Sequence, residues 1–431
     1  MGQKLLIKNG RVIDPANNLD MISDILIQDA KIAKVGKDIK ADGAILIDAT
    51  DKIVLPGLVD MHVHLREPGR EDKETVETGT GAALKGGVTS VLAMPNTDPA
   101  IDSPQTVSLL KDIIGRSAKA NVFIAAAITK GRQGNELVEV KKLKESGAIA
   151  ITDDGSSIED ETIMYEALKQ AKDGNLLVIA HCEDKKLSGN GVVNGGFIAT
   201  RMGLRGISRE SEYLRVKRDI GLAEKTGAKL HIAHISCAES VELIAKAKAK
   251  GINVSCETAP HYFSLNEEAV LGYDPNMKMN PPLRAESDML AIQQGLREGV
   301  IDVIASDHAP HTESEKEIEF ERAQFGIIGL ETILAVSITA LVKKELLTWP
   351  ALVGKLALNP ARVLGIDKGT LTPGKAADII VVSPAEEWLV EKREFVSKSK
   401  NSPFIGRKLK GKVEHTVCSG KIAYSALTTN G

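Results

Sequence analysis

The sequence predicts an α/β protein whose main domain is a (β/α)8 (TIM) barrel, with a small β-sandwich domain built from both chain ends. Three observations support this prediction. Strand-like apolar runs alternate with helix-like segments through the middle of the chain, and eight such runs can be counted. Most of them are continuously apolar, which is typical of parallel strands buried on both faces. The two chain ends instead carry short strand-like runs and turns, without long helical patterns.

The eight predicted barrel strands share apolar character and lengths of four to eight residues. They are Gly57–His64, Val88–Met94, Val122–Ile128, Ala148–Thr152, Leu176–His181, Lys229–Ile235, Asn253–Cys256 and Asp302–Ser306. The predicted helices lie between them and include Thr75–Lys85, Pro104–Ile114, Glu161–Lys172, Arg215–Thr226, Ala238–Lys250 and Ser287–Glu298.

The chain ends predict one small domain. Turn pairs such as Asn9-Gly10 and Asp42-Gly43 separate the short strand-like runs of the N-terminal region. Similar strand-like runs occur near the C-terminus, in Ala377–Val382 and Val413–Val417. We therefore expect residues 1–56 and 366–431 to form a β-sandwich beside a barrel of residues 57–365.

Composition excludes several classes of protein. The net charge of the 431 residues is −3, which does not favour binding to nucleic acid or an anionic membrane. No apolar run approaches the ~20 residues that span a bilayer, and the N-terminal residues lack the apolar region of a signal peptide. The four cysteines are scattered, without a Cys-x-x-Cys pair, so we expect reduced thiols and a cytoplasmic protein.

The pair His62 and His64 is the most informative local pattern. Apolar Val59, Met61, Val63 and Leu65 alternate with Asp60 and these two histidines, which predicts a strand with both imidazoles on one face near its end. Two adjacent imidazoles can bind one divalent ion from one side and leave the other side open. A His-x-His pair alone occurs by chance in many proteins.

Further polar residues follow the later strands, at the end of the barrel where active sites of this fold lie. These residues are Asn96, Asp153, Asp154, His181, His234 and Asp307. Four imidazoles and up to three carboxylates at one rim predict a site for one or two Zn²⁺-like ions.

Strand alternation distinguishes among the remaining histidines. His231 and His234 lie three residues apart, so we expect only His234 to face the barrel mouth and His231 to pack among the helices. His308 follows Asp307 and should point away from the metal. His415 belongs to the β-domain, and we expect it to be structural.

Four motifs resemble those of dihydroorotases, in particular the bacterial type I enzymes of the amidohydrolase superfamily. They are His62-Val63-His64-Leu65-Arg66-Glu67-Pro68-Gly69, Met94-Pro95-Asn96-Thr97, Lys278-Met279-Asn280-Pro281-Pro282-Leu283-Arg284 and Ser306-Asp307-His308-Ala309-Pro310-His311. The resemblance extends over almost the whole chain.

The resemblance implies that His62 and His64 bind one zinc ion and that His181 and His234 bind another. Many members of the superfamily bridge the two ions with a carboxylated lysine on strand 4, but the run Ala148–Gly155 contains no lysine. Type I dihydroorotases are similar in placing an aspartate there. Asp154 is the matching position and Asp153 the alternative; occupancy by a single zinc ion also stays open.

The chemistry expected of this site is the ring opening of a cyclic amide. Zinc would lower the pKa of a bound water to roughly 7 and polarise the carbonyl. Asp307 is the expected general acid/base and a further zinc ligand. The reaction would be reversible hydrolysis of L-dihydroorotate to N-carbamoyl-L-aspartate, a step of pyrimidine synthesis.

Substrate binding requires a cation for the ring carboxylate. Arg66 lies two residues beyond His64, so it is expected to share its face and to offer a bidentate fork. The resemblance implies contacts from further substrate-binding residues: His64, Asn96, Asn280, His311 and the backbone of Phe325 and Gly326. The charged segment 311–324 predicts an ordinary solvated loop in the resting enzyme. Because it joins His311 to Phe325, its functional interpretation is a mobile flap over the substrate.

Two other functions stay open at this point. A hydantoinase (dihydropyrimidinase) or an allantoinase would share the His-x-His pair but would carry the strand 4 lysine, and hydantoinase substrates lack the ring carboxylate. A non-catalytic assembly subunit would have lost ligands that this chain retains. The resemblance also implies a homodimer, with aspartate transcarbamoylase as a candidate partner.

Overall fold

The computed structural model describes residues 4–426. Its strands, numbered in chain order, are β1 (Leu5–Asp14), β2 (Leu19–Gln28), β3 (Lys31–Gly36), β4 (Ile45–Asp48), β5 (Ile53–Pro56), β6 (Leu58–Val63), β7 (Val88–Ala93), β8 (Asn121–Ala126), β9 (Ala150–Ile151), β10 (Leu177–Ala180), β11 (Val193–Asn194), β12 (Gly206–Ile207), β13 (Leu230–Ile232), β14 (Val254–Thr258), β15 (Val303–Ile304), β16 (Ile379–Leu389), β17 (Lys408–Cys418) and β18 (Lys421–Ser425).

The α-helices are α1 (Val76–Lys85), α2 (Pro104–Ser117), α3 (Val140–Ser146), α4 (Glu161–Gly174), α5 (Lys185–Ser188), α6 (Phe197–Met202), α7 (Glu210–Thr226), α8 (Ala238–Ala249), α9 (Pro260–Ser264), α10 (Glu286–Glu298), α11 (Glu313–Lys316), α12 (Ile333–Ser337), α13 (Trp349–Val353) and α14 (Asn359–Leu364). Single π-helical segments, Ile338–Val342 and Gly354–Leu358, continue α12 and α13.

Eight parallel strands form the barrel, in the order β6-β7-β8-β9-β10-β13-β14-β15. The two edges meet where the backbone N–H of His64 donates to the carbonyl of His308 at 2.9 Å. The buried Asp60 carboxylate joins the same edges, because it accepts the backbone N–H of Ser306 at 3.2 Å. The predicted fold class, a barrel with a β-domain from both chain ends, is confirmed.

Two apolar layers hold the barrel together. Residues such as Met61, Leu92 and Ile179 pack together inside it, while residues such as Val91 and Val178 pack outward against the surrounding helices. Each fully buried aliphatic side chain of this kind stabilises the fold by about 1.5–3 kcal/mol.

The small domain is one hydrogen-bonded sheet, with the order β18-β17-β16-β5-β1-β2-β3 and β4 paired to β1. β1 runs antiparallel to β2 but parallel to both β4 and β5, so the sheet branches along its length. The two chain ends join where β5 pairs antiparallel with β16, with Pro56 opposite Ile379. Within residues 4–426, no helix combines the length and apolarity that crossing a bilayer needs.

Candidate metal centre and substrate site

Six acidic or imidazole side chains from five barrel strands meet at the carboxyl end of the barrel. None is more than 9% exposed. They are His62, His64, Asp154, His181, His234 and Asp307. Burial of this many ionisable groups without compensation is unfavourable, which is characteristic of a site built around a ligand.

Asp154 lies at the centre of the cluster. Its Oδ1 atom is 3.3 Å from His62 Nε2, 3.6 Å from His181 Nδ1 and 3.4 Å from His234 Nε2, and its Oδ2 atom is 3.4 Å from His64 Nε2. Burial opposes ionisation of this carboxyl, but the charge of His62 and the nearby rings of His181 and His234 hold its pKa well below the usual range.

Asp307 lies beside His62 and His64. Its Oδ1 atom is 3.6 Å from His62 Nε2 and 3.4 Å from His64 Nε2. Burial raises the pKa of Asp307, but His62 and His64 outweigh that effect and lower it to about 2. The Asp307 carboxylate is therefore ionised at neutral pH and able to accept a proton.

The donor atoms fit divalent ions. Two overlapping triads, His62–His64–Asp154 and Asp154–His181–His234, each offer three ligand atoms within 4.8 Å of one another. Two ligands of one tetrahedral zinc, each about 2.0–2.1 Å from the ion, lie about 3.3 Å apart, close to the separations around Asp154. His62 Nε2 and Asp154 Oδ1 are buried without a hydrogen-bond partner among the described residues, which is the state expected of atoms that bind a metal.

Hydrogen bonds donated by Nδ1 orient the rings of His62 and His64. His62 Nδ1 donates to Glu257 Oε1 at 2.5 Å, and His64 Nδ1 donates to Asn96 Oδ1 at 2.7 Å. Each bond uses the proton on Nδ1, so that Nε2 is the ring nitrogen that faces Asp154. A carboxylate or amide oxygen behind a histidine commonly fixes this tautomer for metal binding.

The prediction that His231 packs among the helices is wrong. His231 lies inside the barrel, where its Nε2 is 3.2 Å from Glu257 Oε2 and its Nδ1 is 2.8 Å from Ser255 Oγ. The alternation argument fails because β13 ends at Ile232, before His234. With a φ of 32°, His234 departs from strand geometry and also turns toward the barrel mouth.

Strand β6 likewise departs from simple alternation. A register shift between Asp60 and Val63 lets Met61 pack inside the barrel while Val63 packs outside. His62 and His64 nevertheless both lie within 3.4 Å of Asp154. The local bulge in β6 therefore changes the direction of the imidazoles relative to a regular strand.

Asp153, the alternative to Asp154, has a different environment. Its carboxylate accepts the backbone N–H groups of Ile128 and Thr129 at 2.8 and 3.1 Å and the hydroxyl of Thr129. These bonds tie the end of β9 to the loop after β8. Of the two aspartates, only Asp154 contacts the histidines.

Arg66 and His311 form a cationic subsite next to the cluster. Arg66 Nη2 is 3.4 Å from His311 Nε2, and Arg66 Nε donates to the carbonyl of Pro310 at 3.1 Å. Burial lowers the pKa of Arg66 to about 10, and the charges of Asp307 and Asp154 partly oppose that effect. Arg66 reaches this position through a left-handed backbone, with a φ of 62°, rather than by continuing the strand.

The other predicted substrate contacts are less uniform. Asn280 Nδ2 donates to Glu183 Oε2 at 3.2 Å, next to His181. The Gly326 N–H donates to the carbonyl of Lys278 at 3.0 Å, and the Gly326 carbonyl accepts from Lys316 Nζ at 3.0 Å. The backbone groups of Gly326 are thus engaged within the protein.

His308 and His415 lie outside the cluster. His308 Nε2 is 3.3 Å from Glu74 Oε2, and its Nδ1 accepts the Gly329 N–H at 3.2 Å. His415 lies on β17 in the small sheet.

Sequence reasoning missed several buried residues near the site. Glu257 was missed because strand 7 was predicted to end at Cys256, whereas β14 continues to Thr258. The alternation of Ser255 and Glu257 with apolar neighbours was the available signal. His261 is buried on α9, and its Nε2 has no hydrogen-bond partner among the described residues.

The segment 311–324 packs onto the rim through two adjacent residues of α11. Glu315 Oε1 is 2.7 Å from Lys73 Nζ, and Thr312 caps the helix in a reciprocal pair with Glu315. Lys316 Nζ donates to the carbonyls of Gln324 and Gly326 at 2.9 and 3.0 Å. These contacts hold the segment against Lys73 and against the backbone of Gln324 and Gly326.

The barrel, the chain-end sheet and a buried histidine–aspartate cluster that could hold a metal ion define a cyclic amidohydrolase. The structure is similar to that of the L-hydantoinase (dihydropyrimidinase) from Arthrobacter aurescens, with a TM-score of 0.88 and 25% sequence identity over 98% of this chain and 96% of that chain.

Sequence comparison is more specific. A family model described as dihydro-orotase-like matches residues 51–240. The dihydroorotase of Elusimicrobium minutum is 52% identical over 97% of both chains, and that of Geobacter metallireducens is 49% identical over 97% of this chain and 99% of its own. The chain belongs to the dihydroorotase family.

Proposed function

We propose that this enzyme catalyses the reversible hydrolysis of L-dihydroorotate to N-carbamoyl-L-aspartate, the third step of de novo pyrimidine synthesis. One observation carries the proposal: the buried cluster around Asp154 lies beside a cationic subsite formed by Arg66 and His311. The cluster suits hydrolysis of an amide, and the subsite suits a ring that bears a carboxylate. The names of the relatives support the same reaction.

We propose Zn²⁺ as the bound ion, with one or two ions for each chain. His62, His64, Asp154 and Asp307 would hold one ion, and Asp154, His181 and His234 the other. Imidazole and carboxylate ligands suit zinc. When bound, the ion acts as a Lewis acid on the amide carbonyl and lowers the pKa of a coordinated water.

Asp307 is the proposed general acid/base. Its ionised carboxylate takes a proton from the attacking water and later delivers it to the ring nitrogen that leaves. Contact with His62 and His64 holds Asp307 against the reacting centre, which supports this assignment.

Arg66 and His311 are the proposed binding groups for the ring carboxylate. Pro310 holds the Arg66 guanidinium at Nε, so Nη atoms remain for a bidentate contact. Asn96 and Asn280 border the two sides of the cluster and are proposed to contact the ring, together with His64 and the Phe325–Gly326 backbone. Because the Gly326 groups are already paired, Phe325 is the more available contributor.

The alternative within this fold is hydrolysis of a neutral ring, as in the hydantoinase with a similar structure. A neutral ring would leave the buried Arg66 without an anionic partner in the pocket. We therefore favour the carboxylate-bearing substrate.

We further propose a homodimer in the cytoplasm, with aspartate transcarbamoylase as a candidate partner. Burial of all four cysteines as free thiols supports a reducing compartment. Size-exclusion chromatography with light scattering, alone and with the transferase added, tests the assembly.

The test of function is a ring-opening assay of the zinc-loaded protein with four substrates: L-dihydroorotate, hydantoin, dihydrouracil and allantoin. We expect turnover of L-dihydroorotate alone. Asp307→Asn should lower kcat by about a thousandfold or more, in the upper range for loss of a general acid/base. Turnover of a neutral ring instead would contradict the carboxylate argument, and inactivity of the metal-loaded protein on all four would favour an assembly subunit.

A further inference from the structure

Lys73 is a buried lysine that the proposed reaction does not use. It lies between β6 and α1, and its Nζ is 3.2 Å from His311 Nδ1 and 2.7 Å from Glu315 Oε1. The Lys73 carbonyl accepts the hydroxyl of Ser399 at 2.7 Å, and the His311 N–H donates to Asn401 Oδ1 at 3.2 Å. One short segment near the C-terminus therefore holds both residues in place.

The contact with Lys73 favours one of the two positions of the proton on neutral His311. An ammonium group can only donate, so His311 Nδ1 accepts from Lys73 and a neutral ring then carries its proton on Nε2. The neutral form is favoured because burial and the charges of Arg66 and Lys73 lower the pKa of His311.

A donor at His311 Nε2 faces a second donor. Arg66 Nη2 lies 3.4 Å away and cannot accept a hydrogen bond. Two donors side by side, both buried, require an acceptor between or in front of them. A carboxylate, with one oxygen for each donor, has the required chemistry.

Glu315 provides the competing arrangement. Its Oε2 atom is also 3.2 Å from His311 Nδ1, and without Lys73 it would accept a proton from that nitrogen. His311 Nε2 would then become an acceptor for Arg66, and the two groups would bond to each other instead of to a ligand. Glu315 is already engaged by Lys73 and by the Thr312 N–H, which favours the arrangement with the proton on Nε2.

We propose that Lys73 is a positioning residue of the carboxylate subsite, which keeps the proton of neutral His311 on Nε2 so that this nitrogen and Arg66 both donate to the substrate carboxylate. The proposal rests on the proposed substrate for its functional consequence. The proposed tautomer of His311 does not depend on the substrate and applies to the free enzyme.

The first measurement is ¹⁵N NMR of histidine-labelled, zinc-loaded protein, with the His311 signal assigned by its loss in His311→Asn. We expect Nε2 of His311 to be protonated and Nδ1 unprotonated in the wild type, and the reverse in Lys73→Met. A wild-type ring protonated on Nδ1, or an unchanged tautomer in Lys73→Met, would overturn the proposal. The wild-type spectrum decides even if the variant does not fold.

Kinetics test the consequence. Lys73→Met should raise KM for L-dihydroorotate about tenfold, the loss expected for a charged hydrogen bond, with little change in kcat. Lys73→Arg, which keeps the charge and the donors, should recover most of that loss. Inhibition by orotate should weaken in Lys73→Met, while inhibition by uracil, which lacks the carboxylate, should not change.

Two matched variants control for the surface charge. Lys246→Met alters an exposed lysine of α8, and Glu242→Gln alters the exposed acid that pairs with it. Neither should change KM. An unchanged KM in Lys73→Met would overturn the role of Lys73, whereas a wild-type enzyme inactive on L-dihydroorotate would overturn the proposed function and leave the NMR result standing.

Discussion

The metal-ligand cluster and the carboxylate subsite lie side by side, but they are assembled differently. The cluster comes from the ends of parallel strands, and its members contact one another: Asp154 alone reaches four histidines. The subsite comes from connecting segments. Arg66 is held by the carbonyl of Pro310, and His311 is held by Asn401, which lies 90 positions later in the chain.

This difference has a physical origin. Parallel strands of a closed barrel all end at one rim, so any side chain placed at a strand end approaches the others by topology alone. A loop residue has no such constraint, and its position depends on hydrogen bonds to remote segments. We therefore expect changes in the cluster to affect metal binding and changes in the subsite to affect substrate binding.

The largest effect should come from Asp154→Ala. Because Asp154 is shared by both triads, we expect loss of bound metal and a fall in activity of about 10⁴-fold or more, since the metal provides the activated water. Metal-to-protein ratios measured by mass spectrometry, after dialysis against a chelator and reloading with zinc, test this.

Asp153→Ala is the matched control for that change. It removes acceptors from the backbone of Ile128 and Thr129, so it should destabilise the protein by about 1–3 kcal/mol while the metal content stays the same. If Asp153→Ala lost the metal and Asp154→Ala kept it, the assignment of the two residues would be reversed.

Arg66→Met should have the next largest effect. The substitution keeps an apolar stem but removes the charge, and loss of a buried charged partner costs about 2–5 kcal/mol of binding, or at least about thirtyfold in KM. The metal content should not change. Equal loss of metal and substrate binding would show that the two regions are not independent.

Glu257→Gln should have a smaller effect, confined to the cluster. It weakens the hydrogen bond that holds His62 in its tautomer, and such changes typically lower metal affinity by about 10–100-fold. Competition with a zinc chelator measures the affinity, and KM for L-dihydroorotate at saturating zinc should stay close to that of the wild type. An unchanged zinc affinity would contradict a role for Glu257 in orienting His62.

The sequence by itself determined the fold class and the rim residues. The apolar runs predicted all eight barrel strands, because strands buried on both faces leave a strong signal. His62, His64, Asp154, His181, His234 and Asp307 were all predicted at strand ends, and the structure places them together.

Only the tertiary structure decided the orientation of individual side chains. Because β13 ends early and His234 has a positive φ, both His231 and His234 lie inside the barrel. Strand alternation had predicted that they face opposite sides. Glu257 and Lys73 act on histidines 195 and 238 residues away in the chain. No local pattern encodes such contacts, because they depend on how distant segments pack.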